Sequence, residues 1–212
     1  MGGILVEPKE CYHALLAQKL IEELKKRNME GFYCETKEDA LKKVLELIPK
    51  DSTVSCGGSA TLHEIGLRAA LKKGGYNFLD PNGVQGGIAK DKVAHQALSA
   101  DYYLMSSNAI SATGELVNID GYGNRVAALI FGPKNVIVIA GLNKVAPNLD
   151  AAILRAKNYA APITMLIFKR DYASFDELSQ AAEGACSQLV ITGMSMTKGR
   201  IKVILVGESL GF

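Results

Sequence analysis

The run Val136-Ile137-Val138-Ile139-Ala140 constrains the fold of this chain more than any other segment. It is apolar throughout and dominated by β-branched residues. A strand with one wet face alternates polar and apolar side chains, whereas a strand covered on both faces does not. Strands of the second kind belong to parallel sheets, because their crossover connections lay helices over both faces. The remaining sequence is therefore expected to alternate strands with helices.

It reads that way. Glu10 to Asn28 carries Leu15, Leu16, Leu20, Ile21 and Leu24 at helical spacing, and a short strand, Gly31 to Glu35, follows. Thr36 is placed to cap a helix from Lys37 to Ile48, with Pro49 just beyond it. Thr53 to Cys56 reads as a strand, Gly57-Gly58-Ser59 as a loop, and Ala60 to Lys73 as a helix closed by Gly74-Gly75. Strands Tyr76 to Leu79, Tyr102 to Met105 and Leu116 to Ile119 are expected, with a helix from Lys90 to Ser99. Beyond the apolar run, Pro147-Asn148 introduces a helix through Tyr159 that Pro162 ends, and Ile163 to Phe168 reads as another buried strand. Leu189 to Thr192 and Ile201 to Val206 are the last strands, separated by a turn at Lys198-Gly199. The pattern predicts an α/β fold: a mainly parallel sheet flanked by helices, with an antiparallel edge formed by the final strands. A chain of 212 residues suits one domain, 1–212, with the helices of residues 1–50 packed on its core.

Chemistry is concentrated between Ser106 and Lys144. Asn108, Thr113, Glu115, Asn118, Asp120, Asn124 and Arg125 cluster there around Gly114, Gly121 and Gly123, between apolar runs. Polar groups this dense beside core strands either satisfy one another or hold a ligand. Thr113-Gly114-Glu115 offers a carboxylate that could act as base or nucleophile in a water-poor pocket, or simply start a strand in solvent. Arg125 offers a planar fork for a carboxylate or phosphate, or a structural ion pair with Glu115 or Asp120. Asn143-Lys144 follows the apolar run, where ligands bind in open α/β sheets, and Lys144 is either a neutraliser of an anion or an ordinary loop lysine. Gly57-Gly58-Ser59, between strand and helix, is either an anion-holding turn or a tight turn with Ser59 as cap. Thr61 and Glu64 have capping-box spacing, and His63-Glu64 fails the zinc-protease pattern because Leu67 stands at the second histidine position.

Several function classes are disfavoured. A net charge of +2 with dispersed basic residues supplies no nucleic-acid-binding face. No segment approaches the roughly 18 apolar residues of a membrane span. MGGILVEPKE lacks the layout of a secretory leader, and Gly2 is followed at position 6 by Val6 rather than Ser or Thr, against myristoylation. A cytoplasmic protein is expected. Cys11, Cys34, Cys56 and Cys186, like His13, His63 and His95, are too scattered for a metal-ligand run, so neither metal nor other cofactor is expected.

Four segments together carry a resemblance: SCGGSATLHEIG, SSNAISATGELVNIDGYGNRVAALIFGPKNVIVIAGLNK, APNLDAAILRAKNYAAP and GRIKVILVGESLGF. They resemble the LUD family of lactate-utilisation proteins, over nearly the whole chain. The resemblance implies the α/β fold shared by glucosamine-phosphate deaminase, ribose-phosphate isomerase, CoA transferases and formyltetrahydrofolate cyclo-ligase. It also implies a place in lactate oxidation beside iron–sulfur partners. Many short members carry a cysteine cluster of the form TPC, TGxCxDC, RIC before the last strands. Here only Cys186 stands at one of those places, so a cluster needing four ligands is not expected.

Three functions follow as expectations. The first is a binder of a small anionic metabolite, or an accessory subunit of an oxidoreductase complex in lactate or related organic-acid use. Its cleft would combine Gly57, Gly58 and Ser59 with Asn108, Thr113, Gly114, Glu115, Asn118, Gly123, Asn124, Arg125 and Lys144. The second is an isomerase or acyl/CoA transferase using Glu115. The third is a structural partner whose polar segment is an interface; a homo-oligomer is compatible with any of them.

Overall fold

The computed structural model describes residues 7–212. Residues 1–6, on which the leader and myristoylation readings rest, lie outside them. In chain order the elements are α1 (Pro8–Lys26), β1 (Glu30–Cys34), α2 (Lys37–Leu47), β2 (Thr53–Cys56), α3 (Ala60–Glu64), α4 (Leu67–Lys73), β3 (Asn77–Leu79), α5 (Gly87–Ala97) and β4 (Tyr102–Met105). Then come β5 (Ala109–Ser111), β6 (Leu116–Asp120), α6 (Asn124–Phe131), β7 (Asn135–Gly141), a 3-10 turn at Leu142–Lys144, and β8 (Val145–Ala146). The last part holds α7 (Leu149–Arg155), a π-helical turn at Ala156–Ala160, α8 (Ala161–Phe168), α9 (Phe175–Ala185), β9 (Gln188–Thr192) and β10 (Ile201–Val206).

The main sheet has the order β1-β10-β7-β4-β2-β3, and every pairing in it is parallel. β7 lies inside it, between β10 and β4, which is why its sequence is apolar on both faces. Val136, Val138 and Ala140 join one core with Leu20 and Leu24 of α1 and Leu129 of α6. Ile137 and Ile139 join the other with Val44 of α2 and Leu62, Leu67 and Leu71 of α3 and α4. α1 and α2 thus cover opposite faces, and β1 between them is hydrogen-bonded to β10. The antiparallel pairing occurs in a second sheet of order β8-β5-β6-β9, where β6 runs against both β5 and β9. Ile110 and Leu116 of this sheet face the first core, while Ala109, Val117 and Ile119 pack on α7, the π turn, α8 and α9. The final two strands do not pair with each other: β9 ends the second sheet and β10 enters the middle of the first.

Local chemistry explains most boundaries. Thr36 accepts a hydrogen bond from Asp39 N at 3.2 Å, so the expected cap forms, and Asn148 caps the helix it introduces by accepting from Ala151 N at 2.9 Å. The expected helix 60–73 is broken by Gly66, whose φ of 70° only glycine adopts without strain. Ile163 to Phe168 is helix α8, not a strand. Pro162 lies in its first turn, and the π turn immediately before it opens the backbone ladder where proline would otherwise clash. A short apolar run does not reveal its own period. Here Ile167 and Phe168 are exposed, unlike the residues of β7.

Candidate functional site

In the main sheet the chain turns outward from β2 to β3, but moves in the other direction from β4 to β7 and β10. The order of strands therefore reverses between β2 and β4. A crevice outside the carboxyl ends of strands at such a reversal is where open α/β sheets bind ligands. Residues following β2, β4, β7 and β10 converge on this place.

Lys144 is its centre. The 3-10 turn after β7 carries the side chain back over the strand ends, leaving the residue 4% exposed. Its Nζ donates to Thr61 Oγ1, beyond β2, and to Ser106 Oγ, just beyond β4, both at 3.0 Å. Among the described residues no carboxylate lies within ion-pair distance of it. Burial is the main force on its pKa and Arg155 adds to it; Glu64 opposes them and Arg125 reinforces them. Together they push the amine down from 10.5 to about 7.

Other groups complete the surroundings. Arg155, at the end of α7, donates from Nε to Asn143 O at 3.3 Å and from Nη1 to Asn108 O at 2.6 Å. Its Nη2 has no hydrogen-bond partner among the described residues. The tail after β10 crosses the strand ends, with Leu210 N donating to Asn143 Oδ1 at 3.1 Å and Gly211 N to Glu64 Oε2 at 2.8 Å. Gly211 has a φ of 55°, and a Cβ there would come within 3.3 Å of Lys144 Nζ and 2.6 Å of Thr61 Oγ1. A side chain there would collide with Thr61, so only glycine lets the tail pack this closely over the amine. Glu64 and Thr61 are thus engaged with the tail and with Lys144, not in a capping box. The cap of α3 is Ser59, whose Oγ accepts from Leu62 N at 3.4 Å.

The expected site residues divide into separate groups. Gly57 is buried at the end of β2, where its N–H donates to Leu104 O at 3.0 Å. A Cβ on Gly57 would lie 3.1 Å from Tyr103 Oη and 3.2 Å from Arg125 Cδ, so the loop, Tyr103 and Arg125 are in contact. Burial pushes the Tyr103 phenol well above its usual range. Gly58 is exposed beside them.

Arg125 is turned inward. Nη1 donates to Asn118 Oδ1 at 2.6 Å and to Ser106 O at 3.4 Å; Nη2 donates to Asn108 Oδ1 at 3.0 Å and to Ile119 O. Nε faces Asp120 Oδ2 at 3.6 Å. Both terminal nitrogens are engaged within the protein, binding the end of β4 to β6, and Asp120 is the ion-pair partner that the sequence context allowed, although its Oδ2 has no hydrogen bond among the described residues. Asn118 is wholly buried, and its Nδ2 is a buried donor with no partner among the described residues. Gly123, with a φ of 84°, donates its N–H to Asp120 Oδ1 at 2.9 Å and so starts α6. Asn124, the first residue of α6, is exposed.

Thr113, Gly114 and Glu115 lie elsewhere, clasping the end of α1. Arg27 donates from Nε to Thr113 O at 2.7 Å, from Nη1 to Gly193 O at 2.6 Å, and from Nη2 to Glu115. Burial pushes the Glu115 carboxyl up, but hydrogen bonds from Ser111, Thr113 and its own backbone, with the Arg27 charge, bring it below its ordinary value. A general base working near neutral pH needs the opposite shift. Glu115 is a paired carboxylate in a structural clasp.

Sequence reading singles out Lys144 and the loop after β2 but not Arg155, Thr61, Ser106 or Tyr103, which the fold places beside one or the other. The signal for Arg155 was a single cation within AAILRA, an otherwise apolar helical stretch.

An open parallel sheet with a buried lysine at its reversal point defines the α/β class of the protein. More particularly, residues 17–206 match the LUD domain, and the chain belongs to the LUD domain family. Among solved structures it is similar to a DUF162 family protein from Deinococcus radiodurans, with 11% identity and a TM-score of 0.56. That likeness covers 92% of this chain and 98% of the other, and it shows the fold. eIF2B delta from Chaetomium thermophilum is 21% identical over 73% of this chain and 64% of that one, with a TM-score of 0.35. No curated protein matches the chain. Among the described residues no helix is long and apolar enough to cross a membrane.

Proposed function

We propose that this LUD-domain protein binds a small anionic metabolite in the crevice between β2 and β4, with Lys144 and Arg155 supplying the positive charge. Its role would lie in lactate or related organic-acid use. One observation carries the reading: Lys144 is buried with two hydroxyls and, among the described residues, no counter-ion, at the position where such sheets bind ligands. An uncompensated buried cation is costly, and a bound anion removes that cost. Arg155, with Nη2 open, offers the same ligand a second, forked contact. The anion-binding role expected of Arg125 passes to these residues, because Arg125 is engaged in holding the crevice wall.

The test is thermal stabilisation by lactate, other hydroxy and oxo acids and sugar phosphates, in the wild-type protein and in Lys144→Met. A ligand at a hundred times its Kd stabilises by about 2.7 kcal/mol, a shift of about 5–10 °C for a chain of this size. A shift that Lys144→Met abolishes supports the site. Equal shifts in both proteins, or none with any anion, contradict it.

A further inference from the structure

We propose that β9 is the contact strand of a two-fold symmetric dimer, in which a second copy of this chain lays its own β9 antiparallel along the outer edge of the second sheet.

That sheet ends on an open strand. β9 pairs with β6 alone, and among the described residues no strand lies on its other side. Half of its backbone N–H and C=O groups therefore point away from the sheet. Natural proteins blunt such edges with charge, proline or shortness. The other edges comply: β3 and β8 have three and two residues, and β1 begins with the charged Glu30. β9 has five residues and lies in a run, Gly184 to Thr197, that holds neither a charged residue nor a proline. Nothing on this edge resists pairing.

The side chains extend the surface. Leu189 stands opposite Ile119 and Ile191 opposite Val117. Directly opposed residues share a face of the sheet, and Val117 and Ile119 belong to the core beneath α7, α8 and α9. That apolar face runs on past the covered residues to Leu189 and Ile191, which are 40% and 42% exposed. Leu189 lines one recess with Phe175 of α9, itself 69% exposed, and Met194 just beyond β9 is 54% exposed. At about 150–200 Å² for a side chain of this size, these four expose roughly 300–400 Å² per copy. A standard interface takes about 800 Å² from each partner around an apolar centre, and a patch of this size supplies that centre.

A second copy fits the edge because the strand is complementary to itself. With the two-fold axis perpendicular to the sheet at Val190, Leu189 of each copy opposes Ile191 of the other and Gln188 opposes Thr192. Residues of the same parity meet, so the two apolar faces coincide. No charge meets a like charge along the seam. Lys157 and Glu183 line the recess beside Leu189, and neither has an ion-pair partner among the described residues. A rim with one charge of each sign lets identical surfaces face each other without net repulsion. The pairing joins the two four-stranded sheets into one.

The experiment is sedimentation equilibrium of the full chain over about 1–100 μM, with hydrogen exchange of the β9 amides at both ends of that range. The expected result is a species of twice the chain mass, with the amides of residues 188–192 better protected at the higher concentration. Ile191→Lys sets an ammonium against the other copy's Leu189, and is expected to raise the dissociation constant of the dimer about thirtyfold or more. A monomer throughout the range overturns the proposal. So does a dimer that Ile191→Lys leaves intact, since its seam lies elsewhere. A monomer whose β9 amides stay protected until residues 1–6 are deleted also overturns it, and gives the edge to the chain's own first residues. Mass and exchange are read on the wild-type chain, so the outcome does not depend on the variant folding.

Discussion

Lys144 Nζ and Ser106 Oγ lie 3.0 Å apart, joining the carboxyl ends of β7 and β4 across 38 residues of sequence. On the far side of Ser106 its carbonyl accepts from Arg125 at 3.4 Å. One serine thus stands between a cation that is internally satisfied and one that is not. That contrast places the ligand-facing charge on Lys144 and gives Arg125 the task of holding the wall.

Replacing Lys144 with methionine should stabilise the ligand-free protein at pH 6 and lose that advantage in alkali. Below about 7 the lysine is charged in both the folded and unfolded chains, so its burial penalty is fully present. Between about 7 and 10.5 the unfolded chain binds more protons than the folded one. Wild-type stability then rises relative to the variant by up to about 1.4 kcal/mol per pH unit. Urea titrations of both proteins at several pH values check this.

Arg125→Ala is expected to cost about 3–5 kcal/mol, since Asp120, Asn118 and two backbone carbonyls lose their buried partner together. Arg125→Lys should recover little, because one ammonium cannot reproduce the fork. Denaturant midpoints measure both. A loss below about 0.5 kcal/mol would show that Arg125 is not structural.

Glu115→Gln should destabilise by about 1–2 kcal/mol at pH 7, through the weakened clasp on Arg27. The carboxyl is held below its ordinary value of 4.5, so its contribution is complete above that pH and is lost as acid protonates it. Wild type and variant should converge in acid. The substitution should leave anion binding at Lys144 unchanged, which the thermal-shift assay reads.

Thiol labelling should separate the cysteines. Cys11 is exposed, whereas Cys34 and Cys56 are buried and burial pushes both thiols up. Alkylation of the native protein should modify Cys11 first and reach Cys34 and Cys56 only on unfolding, as peptide mass analysis will show.

The fold was largely legible because β7 carries its burial in its composition and because Thr36 and Asn148 announce the helices they cap. Ile163 to Phe168 misled because a short apolar run has no readable period and a π turn accommodated Pro162. The site was legible in part. A lysine just past a buried strand signals a crevice. Whether a polar group turns inward or toward a ligand is decided by tertiary contacts between distant segments. Arg125 and Glu115 looked like ligand groups because structural ion pairs and binding sites draw on the same residue types. Only packing against Asn118, Asp120 and Arg27 distinguished them. Thr61, Ser106 and Arg155 were silent for the same reason: each matters through a partner far away in sequence.

The central claim is that Lys144 is a buried cation lacking a counter-ion until an anion arrives. Its most direct test is an NMR pH titration of the Lys144 side chain, with and without saturating lactate. The account predicts titration near 7 in the free protein and a clear upward shift with the anion bound. Titration in the ordinary lysine range near 10.5, unmoved by any anion, would contradict it.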